Sequence, residues 1–358
     1  MKLDVNLKTF GRFNIVVENG KTGKVKETGW QDNLVLSQIF SAHRGDNKIE
    51  YLRVWLGTGA TPPTKEDQGL ESPVGGILGT GRLRDSRMER SVNRESGIMT
   101  YTFNAKYTGS TGQVRGNISE IGLSASSSKD YDGIKIFTRA LLKDAQGSPV
   151  TITLGEFDKV VVEYTIGWEI DLNQDLLDTT IDYKGVQTSI VARFIDWGPS
   201  SLPRNDPWSD KIILPWASDF QHYEYAMIPG TSSANGISFG NYVWYYGSTS
   251  GPAVTLTRED APMLTRDEKA QRMGVARLTG RSIGYTKTSL TTYIDTPISI
   301  AAGSHTGFIS AIVTSLESSA SGIKSRGGRV GFLFDPPLEK LDTDEIIIEN
   351  ISLSYVVG

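Results

Sequence analysis

Lys159-Val160-Val161-Val162-Glu163-Tyr164-Thr165-Ile166-Gly167-Trp168-Glu169-Ile170 decides the fold class. Val160, Val162, Tyr164, Ile166 and Trp168 take every second position, the period of a strand with one face in a core. The same alternation runs through Leu3, Val5 and Leu7, through Phe13, Ile15 and Val17, and through Met99, Tyr101, Phe103 and Ala105. Turn signals such as Glu18-Asn19-Gly20 separate these runs. With 38 Gly, 14 Pro and short apolar runs between them, the chain reads as mainly β. Helix is expected in one short piece per half. In the first half, Asp32 would cap a helix over Asn33 to Phe40 with Leu34, Ile39 and Phe40 turned inward.

The closing strand also returns. Tyr164-Thr165-Ile166-Gly167 is echoed by Tyr355-Val356-Val357-Gly358, and Trp30-Gln31-Asp32-Asn33-Leu34 by Trp208-Ser209-Asp210-Lys211-Ile212. Val54-Trp55-Leu56-Gly57-Thr58 pairs with Trp244-Tyr245-Tyr246-Gly247-Ser248, and Glu66-Asp67 with Glu259-Asp260. The matches keep their order while the separation drifts, which is what duplication followed by loop insertion produces. A length of 358 residues also suits two cores. The expected architecture is two tandem, duplicated antiparallel β-sandwich or jelly-roll-like domains, residues 1–170 and 171–358, each closing its own core with at most one short helix. The second copy carries the larger insertions, and the polar stretch Asp171 to Lys184 is the expected link.

Several classes of chemistry find no footing. The chain has no cysteine, so disulfides, thiolate metal sites and a cysteine nucleophile are excluded. His43, His222 and His305 lie far apart, and no Gly-x-Ser-x-Gly elbow is present. Gly75-Gly76-Ile77-Leu78-Gly79-Thr80-Gly81 lacks the Lys-Ser/Thr of a P-loop and is expected to be a flexible hairpin or an inter-subunit loop. Asp130-Tyr131-Asp132-Gly133 lacks the distal ligands of a calcium loop and reads as a turn. No catalytic residue, cofactor or metal is therefore expected. A net charge of −4 gives no general attraction for nucleic acid, and without an apolar run of about 18 residues membrane insertion is not expected.

Two stretches stand out as contact candidates. Arg82, Arg84, Arg87 and Arg90 form a basic run interleaved with Asp85 and Glu89. Trp208, Trp216 and Tyr223 belong to the aromatic insertion of the second half, where they could anchor a protein interface or stack on a sugar.

The stretch Leu56-Gly57-Thr58-Gly59-Ala60-Thr61-Pro62-Pro63-Thr64-Lys65-Glu66-Asp67-Gln68-Gly69-Leu70 resembles a pattern of structural proteins of tailed bacteriophages. Trp30 to Leu36, Ser119-Glu120-Ile121-Gly122-Leu123, Phe137-Thr138-Arg139-Ala140 and the closing strand are similar to that family in order and spacing, over about residues 9 to 168. The resemblance implies a tail, tail-fibre, collar or baseplate component, made in the host cytoplasm and carried on the virion, with virion proteins and copies of itself as partners. It brings no catalytic residues. A trimer of a two-domain chain would offer six quasi-equivalent domains, so a trimer or hexamer is expected. A receptor-binding module for host surface glycans and a capsid decoration protein remain as alternatives.

Overall fold

The computed structural model describes residues 1–37, 52–78, 87–93, 95–125, 131–195, 237–249, 251–264, 271–277, 281–285, 289–294, 298–304, 306–320 and 323–357. Up to Asp171 the strands are β1 (Lys2–Asn19), β2 (Val25–Glu27), β3 (Gln31–Val35), β4 (Leu52–Gly57), β5 (Pro73–Leu78), β6 (Arg87–Asn93), β7 (Ile98–Thr108), β8 (Gly116–Ile118), β9 (Glu120–Ala125), β10 (Thr138–Leu141), β11 (Ile152–Leu154) and β12 (Asp158–Asp171). After it come β13 (Asp175–Tyr183), β14 (Val186–Ile195), β15 (Ile237–Ser248), β16 (Gln271–Arg277), β17 (Arg281–Tyr285), β18 (Ser289–Ile294), β19 (Ile298–Ile300), β20 (Gly307–Ala320), β21 (Ile323–Lys340), β22 (Ile346–Ile348) and β23 (Ser352–Val357). The chain is mainly β, as its alternation requires. Among the described residues, a 3-10 turn at Arg258–Met263 supplies most of the helical content.

β12 occupies the centre of its sheet, antiparallel to β1 and β7. The register sets Val160, Val162 and Tyr164 opposite Val17, Ile15 and Phe13, and all six side chains are buried. β1 pairs with β12 along Leu7–Asn19 and with β3 at Gly11–Phe13, so it carries the sheet from one limb, β6–β7–β12–β1, to the other, β3–β10–β9–β4–β5. Val54, Leu56, Ile121 and Leu123 of the second limb enter the same apolar core as Ile15 and Tyr164.

Residues after 171 run through a strand order of the same kind. β14–β21–β20–β15–β16 follows the sequence of pairings of β3–β10–β9–β4–β5, and β17–β18–β23 that of β6–β7–β12. The ribbon β8–β11 has its like in β19–β22. β23 then lies parallel to the first residues of β1, Leu3 opposite Leu353 and Val5 opposite Tyr355. Leu3, Ile170, Leu176, Phe194, Ile312 and Leu353 accordingly share one buried cluster that draws on both segments.

Several local expectations are corrected. Gln31–Val35 is strand, not the start of a helix over Asn33 to Phe40, and 38–40 lie outside the described residues. Tertiary pairing overrides the capping signal there. The Gln31 side chain accepts from the Lys143 amide at 2.9 Å and donates to the Lys143 carbonyl at 2.8 Å, extending the ladder by one rung. Gly75 and Gly76 belong to β5, so the expected flexible hairpin or inter-subunit loop does not begin at them, and Gly79 to Gly81 lie outside the described residues. A Cβ on Gly76 would stand 2.7 Å from the Trp55 ring and 2.9 Å from Arg53 Cδ, so the glycine admits those side chains across the strand. The expected link from Asp171 to Lys184 is mostly β13, whose Leu177, Ile181 and Tyr183 pack on the core.

Candidate interface site

The face of β4, β9 and β10 turned away from the main core carries Trp55, Gly122 and Arg139 in one cross-strand row, ending on Leu34 of β3. Arg139 is 4% exposed, and a buried guanidinium is tolerated only where its donors are met. Its Nε donates to Glu120 Oε2 at 2.9 Å, Nη1 to Asp67 Oδ2 at 2.7 Å, and Nη2 to the Thr61 carbonyl at 3.2 Å. Glu120 is itself completely buried. Beyond the arginine it accepts from the backbone amides of Gly59 (2.9 Å), Glu71 (3.2 Å) and Ser72 (2.9 Å). One carboxylate thus fastens both ends of the 58–72 loop to β9, and one arginine fastens its middle to β10.

The sequence explains why the loop can lie so close. A Cβ on Gly59 would be 2.4 Å from Glu120 Oε1, and one on Gly57 2.6 Å from the same atom, so glycine at both positions makes room for the carboxylate. Within the loop, Thr64 donates to Asp67 from its amide (3.0 Å) and its hydroxyl (2.8 Å), while Glu71 accepts from the amides of Ala60 and Thr61. Burial pushes the Asp67 carboxyl up, but Arg139 and Thr64 outweigh it and its pKa falls below the usual value. Burial lowers the pKa of Arg139, and its two carboxylates more than reverse this. The motif residues Gly57, Gly59, Asp67, Leu70, Glu120 and Arg139, scattered in sequence, are therefore parts of one strapped loop.

Leu70 closes that loop against Trp55, Leu36 and Ile136 in a small apolar cluster. Trp55 donates to Ser124 Oγ at 2.9 Å and meets the Tyr131 ring edge-on at 4.9 Å between centroids. The Tyr131 hydroxyl accepts from the Leu70 amide. The turn that resembled part of a calcium loop thus places Tyr131 as a packing residue, with Gly133 at φ 69° as the turn requires. On the core side, the Tyr164 hydroxyl sits between Asn33 and Thr138, and burial raises its pKa.

In the second segment the row Trp55–Gly122–Arg139–Leu34 is replaced by Tyr246–Ala311–Leu333–Val191. Matching Trp55 with Tyr245 by sequence is one residue out. Along β15 the faces simply alternate: Val243 and Tyr245 lie in the main core, while Trp244 and Tyr246 pack on the outer face. The 249–264 segment packs there through Leu256, Ala261 and Leu264 on Tyr246, Ala311, Val313, Leu333 and Ile195. Where Glu120 holds three amides, Ser310 donates to the Val254 carbonyl at 2.5 Å. Charge is confined to the rim. Arg193 and Arg258 share Asp175 at 2.7 and 2.9 Å, and Arg258 also reaches Asp178 at 2.6 Å. Beside this segment, against β14 and β21, opens a cleft of about 180 Å³.

No protein family matches the chain, and no curated protein does. The strapped loop and the cleft accordingly have to be read from their own chemistry. Among the described residues no three His, Asp or Glu side chains gather as metal ligands, and no helix is long and apolar enough to cross a membrane. Of the contact candidates, Arg82, Arg84, Trp208, Trp216 and Tyr223 lie outside the described residues. Arg87 and Arg90 fall on β6, opposite Asn104 and Tyr101 of β7. Sequence reasoning did not single out Arg139, Glu120 or Asp67 as a cluster, although each stood in a quoted motif. A glutamate beside Ile121 and Leu123 and an arginine inside the apolar run Phe137 to Leu142 were the available signal.

Proposed function

We propose that the chain is a non-enzymatic structural component of a bacteriophage tail, a fibre, collar or baseplate adaptor protein that works through contacts with virion proteins and copies of itself. The observation that carries this reading is the use made of the motif residues. Gly57, Gly59, Asp67, Glu120 and Arg139, on which the resemblance to tailed-phage structural proteins rests, are spent on holding one loop rigid over a sheet. Rigid loops on a β scaffold suit repeated protein contacts, because little conformational freedom is lost on docking. The like strand orders of the two segments, joined through β1 and β23, support the further reading that they are duplicated copies offering two related surfaces.

Antibody raised against the purified chain provides the test. Gold-labelled antibody should decorate the tails of intact phage particles, and the chain should be found by mass spectrometry in particles purified on density gradients. Its absence from such particles would sink the proposal. Labelling on heads in place of tails would leave a virion role but remove the tail.

A further inference from the structure

The cleft beside the 249–264 segment has an apolar floor of Val191, Leu256 and Leu333, and polar lips of Thr257, Glu259 and Asp335. Its floor lies in the row that Arg139 fills in the first segment: Arg139 faces Leu34 across β10 and β3, and Leu333 faces Val191 across β21 and β14. A leucine ends where an arginine's stem would continue, and the side chain that occupies this level in one segment is missing from the other. Arg258 also borders the cleft, but its guanidinium is engaged by Asp175 and Asp178. Glu259 and Asp335 are both exposed, so an entering group meets carboxylates at the lips before it reaches the leucines.

We propose that this cleft takes an arginine side chain from a second copy of the chain. An arginine suits both parts of the site: its methylene stem lies on apolar surface while its planar fork bonds carboxylates. Arg139 shows this chain using the residue so, between Asp67 and Glu120. The source is the arginine-rich strand β6. It is the outermost strand of its limb among the described residues, pairs with β7, and carries Arg87 and Arg90. Cleft and β6 lie in different segments, so the contact is head-to-tail, the kind that closes into a ring when the rotation permits. The inference rests on the reading of the chain as self-associating and names the contact.

Light scattering of the full chain across a range of concentrations tests it, beside the variant Asp335→Asn/Glu259→Gln and the variant Arg87→Glu/Arg90→Glu. Both altered carboxylates are exposed, and circular dichroism checks that each variant keeps its β signature. The wild type should associate, and each variant should raise the concentration of half-association by about ten-fold or more. Mixing Asp335→Lys with Arg87→Glu/Arg90→Glu should restore association at concentrations where neither associates alone. Association untouched by the carboxylate variant overturns the cleft as the contact while leaving self-assembly standing. A wild type monomeric at every concentration overturns the contact and, with it, self-association outside the particle.

Discussion

The 58–72 loop and the 249–264 segment leave their sheets at like places, after β4 and after β15, and each contains Thr-x-Glu-Asp. In both, the threonine amide and hydroxyl donate to the aspartate three residues on. Yet one is bolted down by a buried arginine and a buried glutamate, and the other is held by leucines with its ion pairs at the rim. A buried ion pair adds little net stability over apolar packing, but it punishes the loss of either partner and tolerates one geometry. The apolar counterpart yields to substitution more gradually. The first loop is thereby built for one fixed shape, while the second, with Leu333 in the row of Arg139, leaves an open cleft beside it.

Four changes would break or sharpen that contrast. The largest effect is expected at Arg139. Arg139→Met leaves Glu120 buried with its charge uncompensated, and should cost about 3–5 kcal/mol in chemical denaturation. Arg139→Lys should recover little, because one ammonium cannot reach Glu120, Asp67 and the Thr61 carbonyl together. If Arg139→Met melted like the wild type, the ion cluster would not be what holds the loop. Leu333→Ala comes next, with a loss of about 2–5 kcal/mol as a core leucine leaves a void. Here a conservative exchange, Leu333→Met, should restore nearly all of it, which is the behaviour that distinguishes this strap from the first.

The third effect appears on acidification. The Asp67 carboxyl is held below its ordinary pKa, so its share of stability is fully present above about pH 4 and is lost as pH falls through the folded value. Denaturation midpoints measured from pH 6 down to pH 2 should fall more steeply for the wild type than for Asp67→Asn. Parallel acid limbs would mean that Asp67 is not linked to the loop's stability. The smallest effect should be shared by both segments. Thr64→Ala and Thr257→Ala each remove a hydroxyl that donates to the aspartate of the turn, and each should cost about 1 kcal/mol. Clearly unequal losses would show that the common Thr-x-Glu-Asp turn matters more in one strap than in the other.

How far the sequence could be read differs from element to element. β1 and β12 announce themselves because one face is buried along most of their length, and alternation survives any partner. Gln31–Val35 misled because Asp32 looks like a cap, while what fixes the segment is its pairing with β1 and β10, which the Gln31 side chain extends to Lys143, remote in sequence. The mismatch at Tyr245 was hidden because Trp244-Tyr245-Tyr246 offers an aromatic side chain to either face of the strand. Gly57 and Gly59 were visible as a motif, but their purpose depends on Glu120, which no local pattern connects to them.

What the sequence by itself determined is the class of structure and the buried face of most strands, since a period of two is imposed residue by residue by the pleat. The recurrence of Thr-x-Glu-Asp was also written there. Only the tertiary structure decided which charges meet. Arg139 finds Asp67 across 72 positions and Glu120 across 19, and the strand at Ser352–Val357 lies alongside residues 2–7. The reason is physical: a buried charge needs its counter-charge at hydrogen-bond distance, and which residues come that close is set by how sheets fold over one another, not by spacing along the chain.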